Sequence, residues 1–104
     1  MLFIETSFFT DDLKNHLEDE EYRRLQCYLA EYPDASDLVE GTGGLRKIRW
    51  AAKGKGKRGG VRVIYYHVVL MKHIRMLLIY RKGIRDTLSE KEKAVLKSIN
   101  QGWR

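Results

Sequence analysis

Cysteine is almost absent from this chain: Cys27 is the only one in 104 residues. A lone thiol excludes an intramolecular disulfide and fits a reducing compartment. As a helix residue it is expected to carry no chemical role. No Cys/His cluster has metal-ligand spacing, so neither a zinc site nor another cofactor is expected. No apolar run approaches the roughly 18 residues that a membrane span needs. The start, Met1-Leu2-Phe3-Ile4-Glu5-Thr6, has no basic n-region. A secretory leader is therefore not expected, and the expected location is cytoplasmic. The most informative absence is of charge of one sign. From Gly41 to Arg85 there is no aspartate and no glutamate.

That stretch holds thirteen lysines and arginines, although the whole protein is only +6. Residues 1–40 carry the opposite bias, with eleven acids against three bases. Charge is thus segregated along the chain, and a one-sign block creates a local potential far above what the net charge suggests. Such a footprint suits a surface that meets polyphosphate. With 43% hydrophobic and 33% charged residues, the composition is that of a globular protein. The length suits a single domain, 1–104, with one modest core.

Element signals follow in order. Leu2-Phe3-Ile4 is β-prone. Thr6, Ser7 and Thr10 offer helix caps with Asp11 and Asp12 behind them, predicting a first helix to about Leu17. Asp19 is expected to cap a second helix, in which Tyr22, Leu25, Leu29 and Tyr32 recur at helical spacing. Pro33 ends it, and residues 34–44, with three glycines, read as a loop. From Leu45 the period changes to two, with Ile48, Trp50 and Ala52 on one side and Lys47, Arg49 and Ala51 on the other. Val61–Val69 and Ile74–Tyr80 read as further strands joined by a short antiparallel link. Ser89 and Glu92 form an S-x-x-E capping box for a last helix lined by Leu96, Ile99 and Trp103. The order is β-α-α-β-β-β-α, an α+β domain with a mainly antiparallel sheet and helices packed on it.

Between two of the strands lies Lys53-Gly-Lys-Gly-Lys-Arg-Gly-Gly60. Gly54, Gly56 and Gly59 formally match G-x-G-x-x-G, but a dinucleotide fingerprint must open a helix, and a β-branched strand follows here. A kinase would need metal-binding acids and a catalytic aspartate, which this stretch lacks. A solvated hairpin loop is the plain alternative. The density of Lys53, Lys55, Lys57 and Arg58 among glycines favours phosphate contact, because glycine lets backbone N–H groups approach an anion.

Lys47 and Arg49 share a strand face, and Arg62 together with the Arg81-Lys82 pair are expected to converge beside them. The plain alternative is a set of solvated outer positions. Cleavage of RNA through its own 2′-hydroxyl needs a base, an acid and cations for the developing phosphorane charge. His67 has the parity of Val61, Val63 and Tyr65, opposite to Arg62 unless a bulge intervenes. His73 falls in a turn and His16 in the acidic first helix, so all three read as structural or exposed. A lysine can serve instead, since neighbouring cations lower its pKa from about 10.4, and Lys47 beside Arg46 and Arg49 is the best placed. Arginine hardly deprotonates, which leaves Arg49, Arg62 and Arg81 as charge stabilisers.

The stretches Gly43-Gly-Leu-Arg-Lys-Ile-Arg49, Lys53-Gly-Lys-Gly-Lys-Arg-Gly-Gly-Val-Arg-Val-Ile-Tyr65 and Leu77-Leu-Ile-Tyr-Arg-Lys82 resemble the RelE/HigB toxins of type II toxin–antitoxin modules. The resemblance is strongest to the HigB branch that carries a Lys-Gly-Lys-Arg-Gly-Gly loop. It implies a RelE-like fold and a metal-independent, ribosome-dependent endoribonuclease, an mRNA interferase acting in the A site. It carries catalytic roles onto Lys47, Arg49 and Arg62, and onto Lys82 or its neighbour Arg81. Arg46, Lys53, Lys55, Lys57, Arg58 and Arg85 are expected to contact RNA or ribosome. Several family members place a tyrosine or histidine near or within the last helix. Residues 83–104 contain neither, which leaves the general acid open, with Lys82 and Arg85 as candidates. The implied partners are the 70S ribosome with its mRNA and a cognate, HigA-like helix-turn-helix antitoxin, through which alone operator DNA would be met. Two alternatives remain: a ParE-like gyrase inhibitor on the same fold, and a non-catalytic RNA- or ribosome-binding module.

Overall fold

A computed structural model of the chain describes residues 1–51, 60–81 and 87–103. Among these, five strands and three helices form: β1 Leu2–Glu5, α1 Ser7–Leu13, α2 Asp19–Glu31, β2 Asp37–Leu38, β3 Arg46–Trp50, β4 Val61–Val68, β5 His73–Arg81 and α3 Glu90–Gln101. The strands make one sheet in the order β1-β5-β4-β3-β2, in which β1 runs parallel to β5 and the other pairs are antiparallel. The order is β-α-α-β-β-β-β-α, one strand more than expected. The expected loop at 34–44 also contains β2, whose two residues pair with Lys47 and Arg46. No helix among the described residues is long and apolar enough to cross a membrane.

Cap chemistry sets the helix boundaries. The Thr6 hydroxyl accepts from the Phe9 N–H at 3.1 Å and donates to the Leu77 carbonyl at 2.9 Å, so one side chain starts α1 and ties it to β5. α1 stops at Leu13, earlier than expected, and a turn carries the buried Leu17 back onto the core. Glu18, rather than Asp19, caps α2, with its N–H donating to the Glu21 carboxylate at 2.9 Å. Helix α3 opens with the capping box seen in the sequence, Ser89 and Glu92 each bonding the other's backbone.

Period-two patterning in β3 and β4 sends side chains to two faces, and both are covered. Phe9, Leu17, Leu25 and Leu29 from the N-terminal helical region pack on Ile48, Val61, Val63, Tyr65, Ile74, Met76 and Ile79. On the other face Leu96, Ile99 and Trp103 of the α3 region, with Leu88, pack on Leu45, Ile64, Leu77 and Tyr80. Burying each of these large apolar side chains stabilises the fold by roughly 1.5–3 kcal/mol.

One irregularity matters for the site. Ile64 pairs with Leu78 but Tyr65 pairs with Met76, so Leu77 is an extra residue in β5. A bulge of this kind puts consecutive residues on one face and inverts the parity of everything beyond it. Met76 and Ile79 accordingly both face α1 and α2, while Leu77 and Tyr80 face α3.

Candidate active site

Register alone assembles the centre of the site. Arg49 on β3 is the Cα partner of Arg62 on β4, and Arg62 is the partner of Tyr80 on β5. Lys47, two residues before Arg49, is the partner of Ile64. Ile64 and Tyr80 belong to the core beneath α3, so Lys47, Arg49 and Arg62 share that face. Directly opposite residues have Cβ atoms about 4.5–5.5 Å apart, and i, i+2 neighbours on a strand are spaced by roughly 7 Å. Three cations therefore crowd one small area of the sheet.

They differ in depth. Arg49 is exposed, Lys47 is half-buried and Arg62 is only 7% exposed. The buried Nε of Arg62 has no hydrogen-bond partner among the described residues. Neither Lys47 nor Arg49 forms an ion pair there. A buried, incompletely satisfied guanidinium is costly.

Lys47 and Arg49 open into a cleft of about 260 Å³ between the β2–β3 edge and the start of α3. Val39 and Leu88 supply apolar wall, Thr87 a hydroxyl, and Lys93 a further cation that pairs with Glu90 at 3.4 Å. Asp37 and Glu40 stand on the β2 side. The β2 side of this cleft carries no sequence signal of its own, because two strand residues have no measurable period.

Not every expected residue joins the group. Arg81 is the partner of Val61, which packs beneath α1 and α2, so the Leu77 bulge has carried Arg81 to the face opposite Arg62. There its charge acts on His16. Without the bulge, strict alternation would have placed Arg81 beside Arg62, as the sequence suggested. Arg46 lies on the same far face, where its guanidinium donates to the Ser36 carbonyl at 2.7 Å and the Asp34 carbonyl at 3.1 Å. These bonds fasten the 34–36 loop. Lys53, Lys55, Lys57, Arg58, Lys82 and Arg85 lie outside the described residues.

The histidines sit away from the group. His67 Nδ1 is 3.0 Å from Asp34 Oδ1 on the far face, with the parity read from the sequence. His73 starts β5 opposite Leu2 at the other end of the sheet. His16 follows α1, and burial followed by the Arg81 charge lowers its pKa from 6.5, against an opposing pull from Asp12. Tyr80 was missed by sequence reasoning, because only the bulge turns it toward Arg62. Lys93 was missed because it reads as a solvated position of the last helix.

No protein-family model matches this chain. Among solved structures it is similar to the E. coli toxin RelE, as a double arginine-to-alanine mutant in the free state. The match has a TM-score of 0.58 at 10% sequence identity and covers 98% of this chain and 97% of that one. The fold is therefore RelE-like: α+β, with three helices and a five-stranded mixed sheet among the described residues.

Proposed function

We propose that this protein is the toxin of a type II toxin–antitoxin module, of the HigB kind, and acts as a metal-independent mRNA interferase on translating ribosomes. The observation that carries the reading is the Lys47, Arg49 and Arg62 cluster on one face of a RelE-like sheet, with Arg62 buried and its Nε unpartnered among the described residues. In this reading Lys47 takes the proton from the 2′-hydroxyl of the nucleotide to be cut. The 2′-oxygen bonds to phosphorus, the bond to the 5′-oxygen breaks, and the products are a 2′,3′-cyclic phosphate and a 5′-hydroxyl. Arg49 and Arg62 remain charged throughout and stabilise the phosphorane, where charge develops. Lys82 supplies the proton to the leaving oxygen. The basic loop Lys53–Arg58 grips flanking phosphates.

The partners in this reading are the 70S ribosome with mRNA, and a helix-turn-helix antitoxin that carries any operator binding. The location is cytoplasmic. Induced expression followed by primer extension on cellular mRNA tests the activity. Cleavage within open reading frames, abolished in a folded Lys47→Ala, Arg62→Ala double variant, is the expected result. Intact transcripts during growth arrest overturn it, and loss of supercoiling in a gyrase assay would then favour the gyrase inhibitor.

A further inference from the structure

The cleft beside Lys47 and Arg49 contains two groups that the cleavage chemistry does not use. Asp37 and Glu40 line it, and neither carboxylate makes a hydrogen bond or ion pair among the described residues. For Asp37 this is unexpected, because Lys47 is its direct cross-strand partner. A site built only to hold phosphate gains nothing from two exposed carboxylates, since they repel it. The cleft is thus divided into a cationic floor at Lys47 and Arg49, apolar wall at Val39 and Leu88, and an anionic lip. At about 260 Å³ it falls just below the roughly 300 Å³ at which drug-sized pockets begin, a size for one nucleotide.

A carboxylate accepts hydrogen bonds through two oxygens and donates none. Only a base with adjacent donors satisfies both oxygens at once. Adenine and cytosine each present one amino donor next to a ring-nitrogen acceptor, and uracil presents one donor between two acceptors. Guanine alone places N1–H and N2–H side by side on its Watson–Crick edge. That edge is free to be read when the strand is unpaired, and paired parallel bonds to a carboxylate are of the strong, charge-assisted kind.

We propose that Asp37 and Glu40 make this cleft a guanine-reading pocket, in which a carboxylate takes N1–H and N2–H while Lys47 and Arg49 hold the adjoining phosphate. Val39 and Leu88 pack against the flat face of the base. The proposal rests on the RNA-cutting reading, and makes the nucleotide beside the cut preferentially guanosine.

Calorimetric titration of the purified chain with GMP, IMP, AMP, CMP and UMP tests it. GMP should bind about tenfold or more tighter than AMP, CMP and UMP, with IMP, which lacks only the N2 amino group, in between. Asp37→Asn or Glu40→Gln should bring GMP down to the other nucleotides, because an amide replaces an acceptor with a donor that opposes guanine. Both positions are exposed, and circular dichroism checks that the variants fold. Equal affinities, no binding, or a preference that survives both substitutions overturns the proposal. Cleavage of mRNA without a guanine preference overturns this inference alone. Selective GMP binding by a protein that leaves mRNA intact overturns the proposed activity and retains the pocket.

Discussion

Arg49 and Arg62 face each other directly across β3 and β4, two like charges in register on one face of the sheet. Such pairs are destabilising, and Arg62 adds burial to 7% exposure with its Nε unpartnered among the described residues. Arg62→Met keeps the length of the side chain and removes the charge. Leaving a buried polar group unsatisfied costs about 1–3 kcal/mol, so the variant should be more stable by about 1 kcal/mol in urea melts. It should also lose about 100-fold or more in mRNA cleavage, the usual effect of removing one transition-state stabiliser. A variant that is both less stable and fully active would sink the assignment of Arg62 as a functional cation.

Arg75 does the opposite work. Its guanidinium lies 5.6 Å from the Tyr66 ring centroid and 5.2 Å from that of Trp103, and donates to the Asn100 carbonyl at 3.1 Å and to Asn100 Oδ1 at 2.9 Å. It fastens the C-terminal end of α3 to the sheet and takes no part in the cleft. Arg75→Ala should cost about 2 kcal/mol. Amide exchange should quicken from Ser98 to Gln101 before it quickens in β4, and unchanged exchange in α3 would count against the clamp.

These two arginines mark how far the sequence could be read. Both sit within an acid-free run, and composition treats them alike. Period two in β3 was enough to set Lys47 and Arg49 apart from Ile48 and Trp50, because both strand faces follow from alternation once one is apolar. The capping box at Ser89 and Glu92 was equally direct, since its bonds are local. Arg81 was not legible. Its face depends on the extra residue Leu77, and Met76-Leu77-Leu78-Ile79 is uniformly apolar, so no polar residue marks where alternation breaks. Strand β2 was hidden for a related reason, as its pairing with β3 is tertiary and its own two residues carry no pattern.

The lip of the cleft depends on a small polar cluster behind it. Tyr65, fully buried, donates its hydroxyl to the Pro33 carbonyl at 2.8 Å and lies in contact with the Ser36 hydroxyl, while Arg46 holds the Ser36 and Asp34 carbonyls. Burial pushes the Tyr65 pKa up, so the phenol stays a donor. These bonds fix the segment from which β2 departs. Tyr65→Phe should cost about 1 kcal/mol of stability, and Arg46→Ala should speed amide exchange at Leu38 and Val39. With Arg46 occupied in this way, Arg46→Ala should reduce cleavage much less than Arg49→Ala. Equal losses in the two variants would return Arg46 to the RNA-contacting surface.

His16 and Arg81 offer a pH test of the bulge itself. Burial is the larger cause of the lowered His16 pKa, Arg81 adds to it and Asp12 opposes it. A histidine whose folded pKa lies below its unfolded value of 6.5 binds fewer protons when folded, so stability rises with pH across that interval. Its contribution is complete above 6.5 and is lost as pH falls through 6.5 towards the folded value. Urea midpoints at about pH 7.5 and about pH 5.5 should therefore differ less in His16→Gln than in the parent chain. Arg81→Ala removes one of the two lowering causes and should shrink the difference part of the way. The same Arg81→Ala variant should keep far more mRNA cleavage than Arg62→Ala, because the two side chains leave opposite faces of the sheet. Loss of cleavage equal to that of Arg62→Ala, with the pH dependence of stability unchanged, would place Arg81 with the catalytic cations instead.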